Sequence, residues 1–199
     1  MLCIVDAGLG NVSSVRNMIR RLGVDAELRS TPDGLRDDDR YILPGVGAYD
    51  EGVRRLHASG WFDHLQAAPA TTHILGICLG MQLLARSSEE GELGGLGRVP
   101  AEFVRFRDTE RVPHMGWNLV TVTGDDPLFD PSSPELRFYF THSYYAVCDD
   151  PENSIGVTNY GVPFTSAYRR HNTCGVQFHP EKSHKFGMSL LERWLELSC

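Results

Sequence analysis

Short apolar runs alternate with apolar residues at helical spacing along the first half of the chain. Residues 2–6 form a brief apolar run that predicts a first strand, and Gly8-Leu9-Gly10-Asn11 predicts a turn. Val12, Val15, Ile19 and Leu22 recur every three or four positions, which predicts a helix over 12–22 stopped at Gly23. Residues 25–29 and 41–43 predict two further strands, the second ended by Pro44-Gly45, with the acidic stretch 33–39 as a solvated connection between them. A second helix is expected from Asp50, with Val53, Leu56 and Trp61 on its inner side. Residues 73–77 read as a fourth strand and 79–86 as a helix. This alternation implies a mostly parallel sheet with helices on both faces.

The pattern then changes. Between 98 and 178 the candidate strands are 99–106, 117–122, 137–147, 154–159, 164–170 and 174–178, separated by turn signals, which suggests antiparallel strands added to the sheet. Residues 183–197 predict a closing helix with Phe186, Leu190, Leu191 and Trp194 on one face. With no internal repeat or Pro-rich linker, the expectation is one domain over 1–199. Its class is α/β, a flavodoxin-like three-layer sandwich with a mostly parallel central sheet and added antiparallel strands.

Composition narrows the function classes. Of the 199 residues 41% are hydrophobic, enough for a well-buried core. The formal net charge of −7 disfavours nucleic acid as the main partner. The 5 cysteines are odd in number and include no C-x-x-C, which argues against a disulfide framework or structural zinc and for a reducing, cytoplasmic setting. No apolar run approaches the roughly 18 residues of a membrane span, and residues 1–6 lack the basic region of a signal peptide.

The most informative stretch is Gly76-Ile77-Cys78-Leu79-Gly80, lying between a predicted strand and a predicted helix. A nucleophile flanked by glycines there forms an elbow that exposes its side chain on a strained backbone. The following helix aims free N–H groups at the sulfur, which favours the reactive thiolate. The Leu79 N–H is then a natural oxyanion donor. In Phe178-His179-Pro180-Glu181, residues two apart in an extended chain point the same way, so His179 and Glu181 can face one site. A carboxylate beside an imidazole sets its tautomer and stabilises the imidazolium, which is what a cysteine nucleophile needs. Pro44-Gly45-Val46-Gly47 follows another strand and can present backbone N–H groups to an anion or serve as a plain turn. Glycines on both sides of Val46 let its peptide rotate at low steric cost. Gly8-Leu9-Gly10 resembles the start of a dinucleotide fingerprint, but Ser13 stands where the third glycine belongs. By chemistry alone, 114–118 and 141–145 read as packed turn or strand residues.

Taken together, these motifs resemble the triad-type glutamine amidotransferases, specifically the glutaminase subunits of imidazole glycerol phosphate synthase. The resemblance is carried by Asp6 with Gly8-Leu9-Gly10-Asn11, by 43–48, by 76–84, by Val112-Pro113-His114-Met115-Gly116-Trp117-Asn118, by His142-Ser143-Tyr144-Tyr145 and by 177–183, in the family's order over nearly the whole chain. It implies Cys78, His179 and Glu181 as the triad, and backbone donors at Val46, Gly47 and Leu79 for the oxyanion. It places Gln82, with the backbone at Ser143 and Tyr144, against the substrate glutamine. It implies no metal or organic cofactor, and a (β/α)8 cyclase partner facing Asn11 and Lys182. The family releases ammonia from glutamine and passes it to that cyclase, which forms imidazole glycerol phosphate and aminoimidazole carboxamide ribotide in histidine biosynthesis. The chain departs from the pattern at Tyr49, where phenylalanine is expected, and at Thr141, where valine is usual. Two other readings share these motifs: a paralogous glutaminase subunit feeding amidation of a surface-polysaccharide sugar, and a free-standing cysteine hydrolase.

Overall fold

The computed structural model describes residues 1–10, 12–36, 39–107, 109, 111–133 and 135–197. Four strands of the first half lie parallel: β1 (Leu2–Val5), β2 (Glu27–Arg29), β3 (Arg40–Gly45) and β4 (Ile74–Cys78). The remaining strands are β5 (Ser87–Ser88), β6 (Ala101–Arg105), β7 (His114–Leu119), β8 (Thr121–Val122), β9 (Arg137–His142), β10 (Tyr144–Cys148), β11 (Ser154–Tyr160), β12 (Val162–Arg170) and β13 (Thr173–Val176). The helices are α1 (Val12–Arg21), α2 (Tyr49–Ala58), α3 (Trp61–Ala67), α4 (Leu79–Leu84) and α5 (His184–Leu197).

The main sheet runs β2-β1-β3-β4-β13-β12-β10-β6-β5, and β11 joins β12 to β8. Its first five strands are parallel, in the order of a doubly wound sheet. Strand β13 therefore ends the parallel block: it is parallel to β4 and antiparallel to β12, and does not belong wholly with the added antiparallel strands. Helices cover both faces. Val15, Ile19, Leu191 and Trp194 from α1 and α5 pack on one face. Val53, Leu56, Trp61 and Leu65 from α2 and α3 pack on the other. Strands β1, β3, β4 and β13 are buried on nearly every residue, which is why they read as continuous apolar runs.

Several boundaries differ from the sequence pattern. Trp61 does not extend α2. Gly60 takes the left-handed conformation at φ 78°, and Trp61 opens a separate helix. The run 117–122 is two strands in two sheets, because β7 pairs with β9 while β8 pairs with β11. The run 137–147 likewise divides at Ser143 into β9 and β10. Asp39 is buried rather than solvated, and accepts a hydrogen bond from the Arg36 N–H at 2.7 Å.

Candidate active site

The carboxyl ends of β3, β4 and β13 converge, since Gly45 pairs with Cys78 and Val176 with Ile77. Ligands of open α/β sheets bind at this edge. Cys78 is the last residue of β4 and has φ 55° and ψ −111°, a positive φ that is uncommon for a side-chain-bearing residue. Strain of this kind persists only where the surroundings over-determine it. The flanking glycines supply that constraint by close approach. A Cβ on Gly80 would stand 1.7 Å from the Leu43 carbonyl oxygen, and one on Gly76 would stand 2.7 Å from the Gly80 carbonyl. Leu79 then opens α4, so its N–H lies in the first turn, without an intrahelical acceptor.

His179 follows β13 and is held at its main chain from two sides. Its N–H donates to the Tyr139 carbonyl at 2.9 Å, and its carbonyl accepts from the Ser183 hydroxyl at 2.6 Å. Pro180–Lys182 form a single 3-10 turn that carries Glu181 back to the ring. Glu181 Oε1 lies 2.7 Å from His179 Nδ1, which leaves Nε2 as the ring atom available for other chemistry. Burial by itself would lower the affinity of His179 for a proton. The Cys78 sulfur and then the Glu181 carboxylate outweigh burial and raise it to about 9.

One further residue meets the sulfur. Gln177 is fully buried, and its Nε2 donates to Cys78 Sγ at 3.7 Å. Its Oε1 accepts from Gln82 Nε2 at 3.3 Å, so two amides in series end on the nucleophile. Gln82 Oε1 is buried with no protein partner, an acceptor open to a ligand. Gln177 opens the stretch 177–183 that carries the resemblance but receives no site role from it, although it precedes His179 by two positions and so shares its face.

Val46, Gly47, Cys78, Leu79, Gln82, Ser143, Tyr144 and His179 line one cavity of about 310 Å³. Glu181 stands behind His179, and Lys182 lies outside, with its Nζ 5.7 Å from the Tyr139 ring centroid. Asn11 falls outside the described residues. Val46 is in place, but its N–H is not turned to the cavity: it donates to the Leu9 carbonyl at 2.7 Å. Gly47 holds φ 118°, which glycine alone adopts readily. Glu90, at the exposed mouth, also lines the cavity and carried no signal in the sequence. Partial desolvation raises its carboxyl above the usual range, opposed by the Tyr49 N–H and aided by the Asp50 charge. No group of three or more potential metal ligands occurs among the described residues.

A strained cysteine at a strand-to-helix elbow, beside a His–Glu pair at the carboxyl edge of a parallel sheet, is the arrangement of a cysteine amidohydrolase. The glutamine amidotransferase class-I family matches residues 3–196, and the chain belongs to that family. It is similar to the imidazole glycerol phosphate synthase subunit HisH 2 of Methanococcus maripaludis, 46% identical over 200 residues that cover 98% of this chain and 99% of the relative. It is 44% identical over 201 residues to the subunit of the same name from Pseudomonas aeruginosa, covering 99% and 100%. Among solved structures, PurLQS from Thermotoga maritima superposes with a TM-score of 0.74 at 18% identity, covering 98% and 97% of the two chains. At that identity the likeness is one of fold.

Proposed function

We propose that this chain hydrolyses glutamine to glutamate and ammonia through a Cys78 thioester and passes the ammonia to a (β/α)8 cyclase, as the glutaminase half of an imidazole glycerol phosphate synthase. The observation that carries this reading is a cavity lined by Cys78, Gln82 and His179, with Gln177 bonded to the Cys78 sulfur and Glu181 to the His179 ring, in a chain of this family. The similarity to synthase subunits over nearly the full length of both chains supports the histidine-pathway partner. The whole of 1–199 acts as one glutaminase domain, in the cytoplasm. Among the described residues no helix is long and apolar enough to cross a membrane.

In the proposed reaction the Cys78 sulfur attacks the side-chain amide carbon of glutamine. The Gln177 amide and the imidazolium of His179 stabilise the charge on sulfur. The N–H groups of Leu79 and Gly47 hold the oxyanion. His179 gives its proton to the departing ammonia, leaving a thioester. It then removes a proton from water, which attacks the thioester and releases glutamate. The Gln82 Oε1 is free to accept from the substrate, and Glu90 at the mouth offers a carboxylate to its α-ammonium.

The Val46 N–H can join the oxyanion donors only if the Gly45–Val46 peptide rotates away from Leu9. Gly10, in the turn ahead of Asn11, lies against this peptide: a Cβ there would be 3.3 Å from the Val46 nitrogen. A partner seated near Asn11 and Lys182 thus reaches the switch through one turn. Beside Lys182, the outer face of β7 exposes Met115, Trp117 and Leu119, an apolar surface suited to the same partner. The test is glutaminase rate with and without the cyclase, each with and without its nucleotide substrate. The expected result is slow turnover by the isolated chain and strong stimulation in the complex. Equal rates in both would reject the switch and favour a free-standing hydrolase.

A further inference from the structure

Beside the cavity lies a pair of histidines that the proposed reaction does not use, one of which, His142, reaches its lining. His114 on β7 and His142 at the end of β9 face each other across the small sheet, both buried, with His114 Nδ1 3.0 Å from His142 Nε2. His142 Nδ1 lies 2.7 Å from the Tyr144 carbonyl oxygen. Asn118 Nδ2 lies 3.2 Å from His114 Nε2 and 2.9 Å from the Asn159 carbonyl oxygen. Asn118 Oδ1 accepts from the Leu119 N–H at 2.8 Å. The His114 ring is stacked between Phe140 and Tyr160, at centroid distances of 4.7 and 4.1 Å.

These contacts admit a single hydrogen assignment. A carbonyl can only accept, so His142 carries its proton on Nδ1. Its Nε2 must then accept, so His114 donates from Nδ1. The His114 Nε2 must accept in turn, and Asn118 donates to it. The amide cannot flip without abandoning both Leu119 and Asn159. A proton added to either ring would set two donors face to face. We propose that Asn118, His114 and His142 form a one-directional, neutral positioning relay that holds the Tyr144 carbonyl, and with it the Ser143–Tyr144 wall of the glutamine cavity, in its binding position.

Electrostatics agree with this assignment. Burial holds His114 down at about 4. Burial, then the charges of His114 and His179, holds His142 at about 3 against the contrary pull of the Tyr144 carbonyl. Among the described residues no carboxylate acts on either ring. The aromatic rings packed on the pair are Phe106, Phe140, Tyr160 and Phe164. A neutral imidazole at 142 also spares the His179 imidazolium a second cation. His142 and its partners are positioning residues; the glutamine-binding part of the proposal rests on the glutaminase reading above.

The decisive substitution is Asn118→Asp. A carboxylate there accepts from His114 Nε2–H, which reverses both tautomers and turns the lone pair of His142 Nδ1 toward the Tyr144 carbonyl. It also sets an oxygen against the Asn159 carbonyl, a local cost that the tautomer readout separates from the relay. Histidine-ring nitrogen spectra of the full 15N-labelled chain should show neutral Nδ1–H forms at His114 and His142 in the wild type, and Nε2–H forms in Asn118→Asp. Calorimetric binding of glutamine to Cys78→Ser protein should weaken about tenfold when Asn118→Asp is added, the scale of one lost hydrogen bond. An Nε2–H form at either wild-type ring overturns the relay even if the variant does not fold. Reversed tautomers with unchanged glutamine affinity overturn it as well. Absence of any glutamine binding by Cys78→Ser alone would instead reject the glutaminase reading.

Discussion

Glu181→Gln keeps the shape of the side chain and removes its charge. In the wild type the carboxylate oxygen lies 2.7 Å from His179 Nδ1, with the two side chains 11% and 1% exposed, so solvent screens the pair weakly. The rise of His179 from 6.5 to about 9 favours the imidazolium by about 3 kcal/mol. Burial opposes that rise, and Cys78 is its stronger source. Glu181 is therefore the weaker of the two sources. A hydrogen bond to a charged group is worth about 1–1.5 kcal/mol more than one between neutral groups, or roughly tenfold, which sets the scale of what the amide loses. Glutamine retains an oxygen that can accept from Nδ1, so the ring keeps its orientation. Turnover of glutamine is expected to fall about tenfold, against roughly 10²–10⁴ for His179→Ala, which removes the proton carrier itself. The sign of the pH effect follows from the raised value. The imidazolium, and its contribution to folding, is fully present below pH 6.5 and is lost as pH rises through about 9. Glu181→Gln should move this alkaline limb to lower pH. The assay is steady-state glutaminase activity of the complex across the alkaline range for wild type and both variants. A loss in Glu181→Gln equal to or larger than that in His179→Ala would refute the division of roles, as would an alkaline limb that stays in place.

Cys78→Ala and Cys78→Ser should abolish glutamine hydrolysis while leaving the fold intact, and added ammonium should still support the partner's reaction; near wild-type glutaminase activity in either would end the assignment. Tyr49→Phe should stabilise the chain by about 1–2 kcal/mol, because the Tyr49 hydroxyl is buried without a hydrogen-bond partner and removing it leaves no orphan behind; a lowered melting temperature would contradict this. His114 and His142 are neutral in the folded chain at about 4 and about 3, below the ordinary 6.5. Their contribution to stability is complete above pH 6.5 and is lost as pH falls toward those values. Denaturant midpoints should decline below pH 6.5, and His114→Phe should make the decline shallower; an unchanged slope would show that other groups govern acid unfolding.

Local features were legible in the order of residues alone. The Gly76–Gly80 elbow is legible because strand, nucleophile and helix follow one another within a few residues. The His179–Glu181 pair is legible because two positions in an extended chain share a face. The parallel half of the sheet was readable because strands buried on both faces leave continuous apolar runs. Features that depend on pairing between distant segments were not legible there. Placing β13 beside β4 brings Gln177 to Cys78 across 99 positions, and neither residue announces the other. The break at Ser143 sends one candidate strand into two sheets, and pairing of its first half with β7 brings His142 to His114. The direction of the Val46 N–H was beyond reach for a related reason. Glycines on either side make two orientations equally cheap, and the Leu9 carbonyl, supplied by another loop, selects between them.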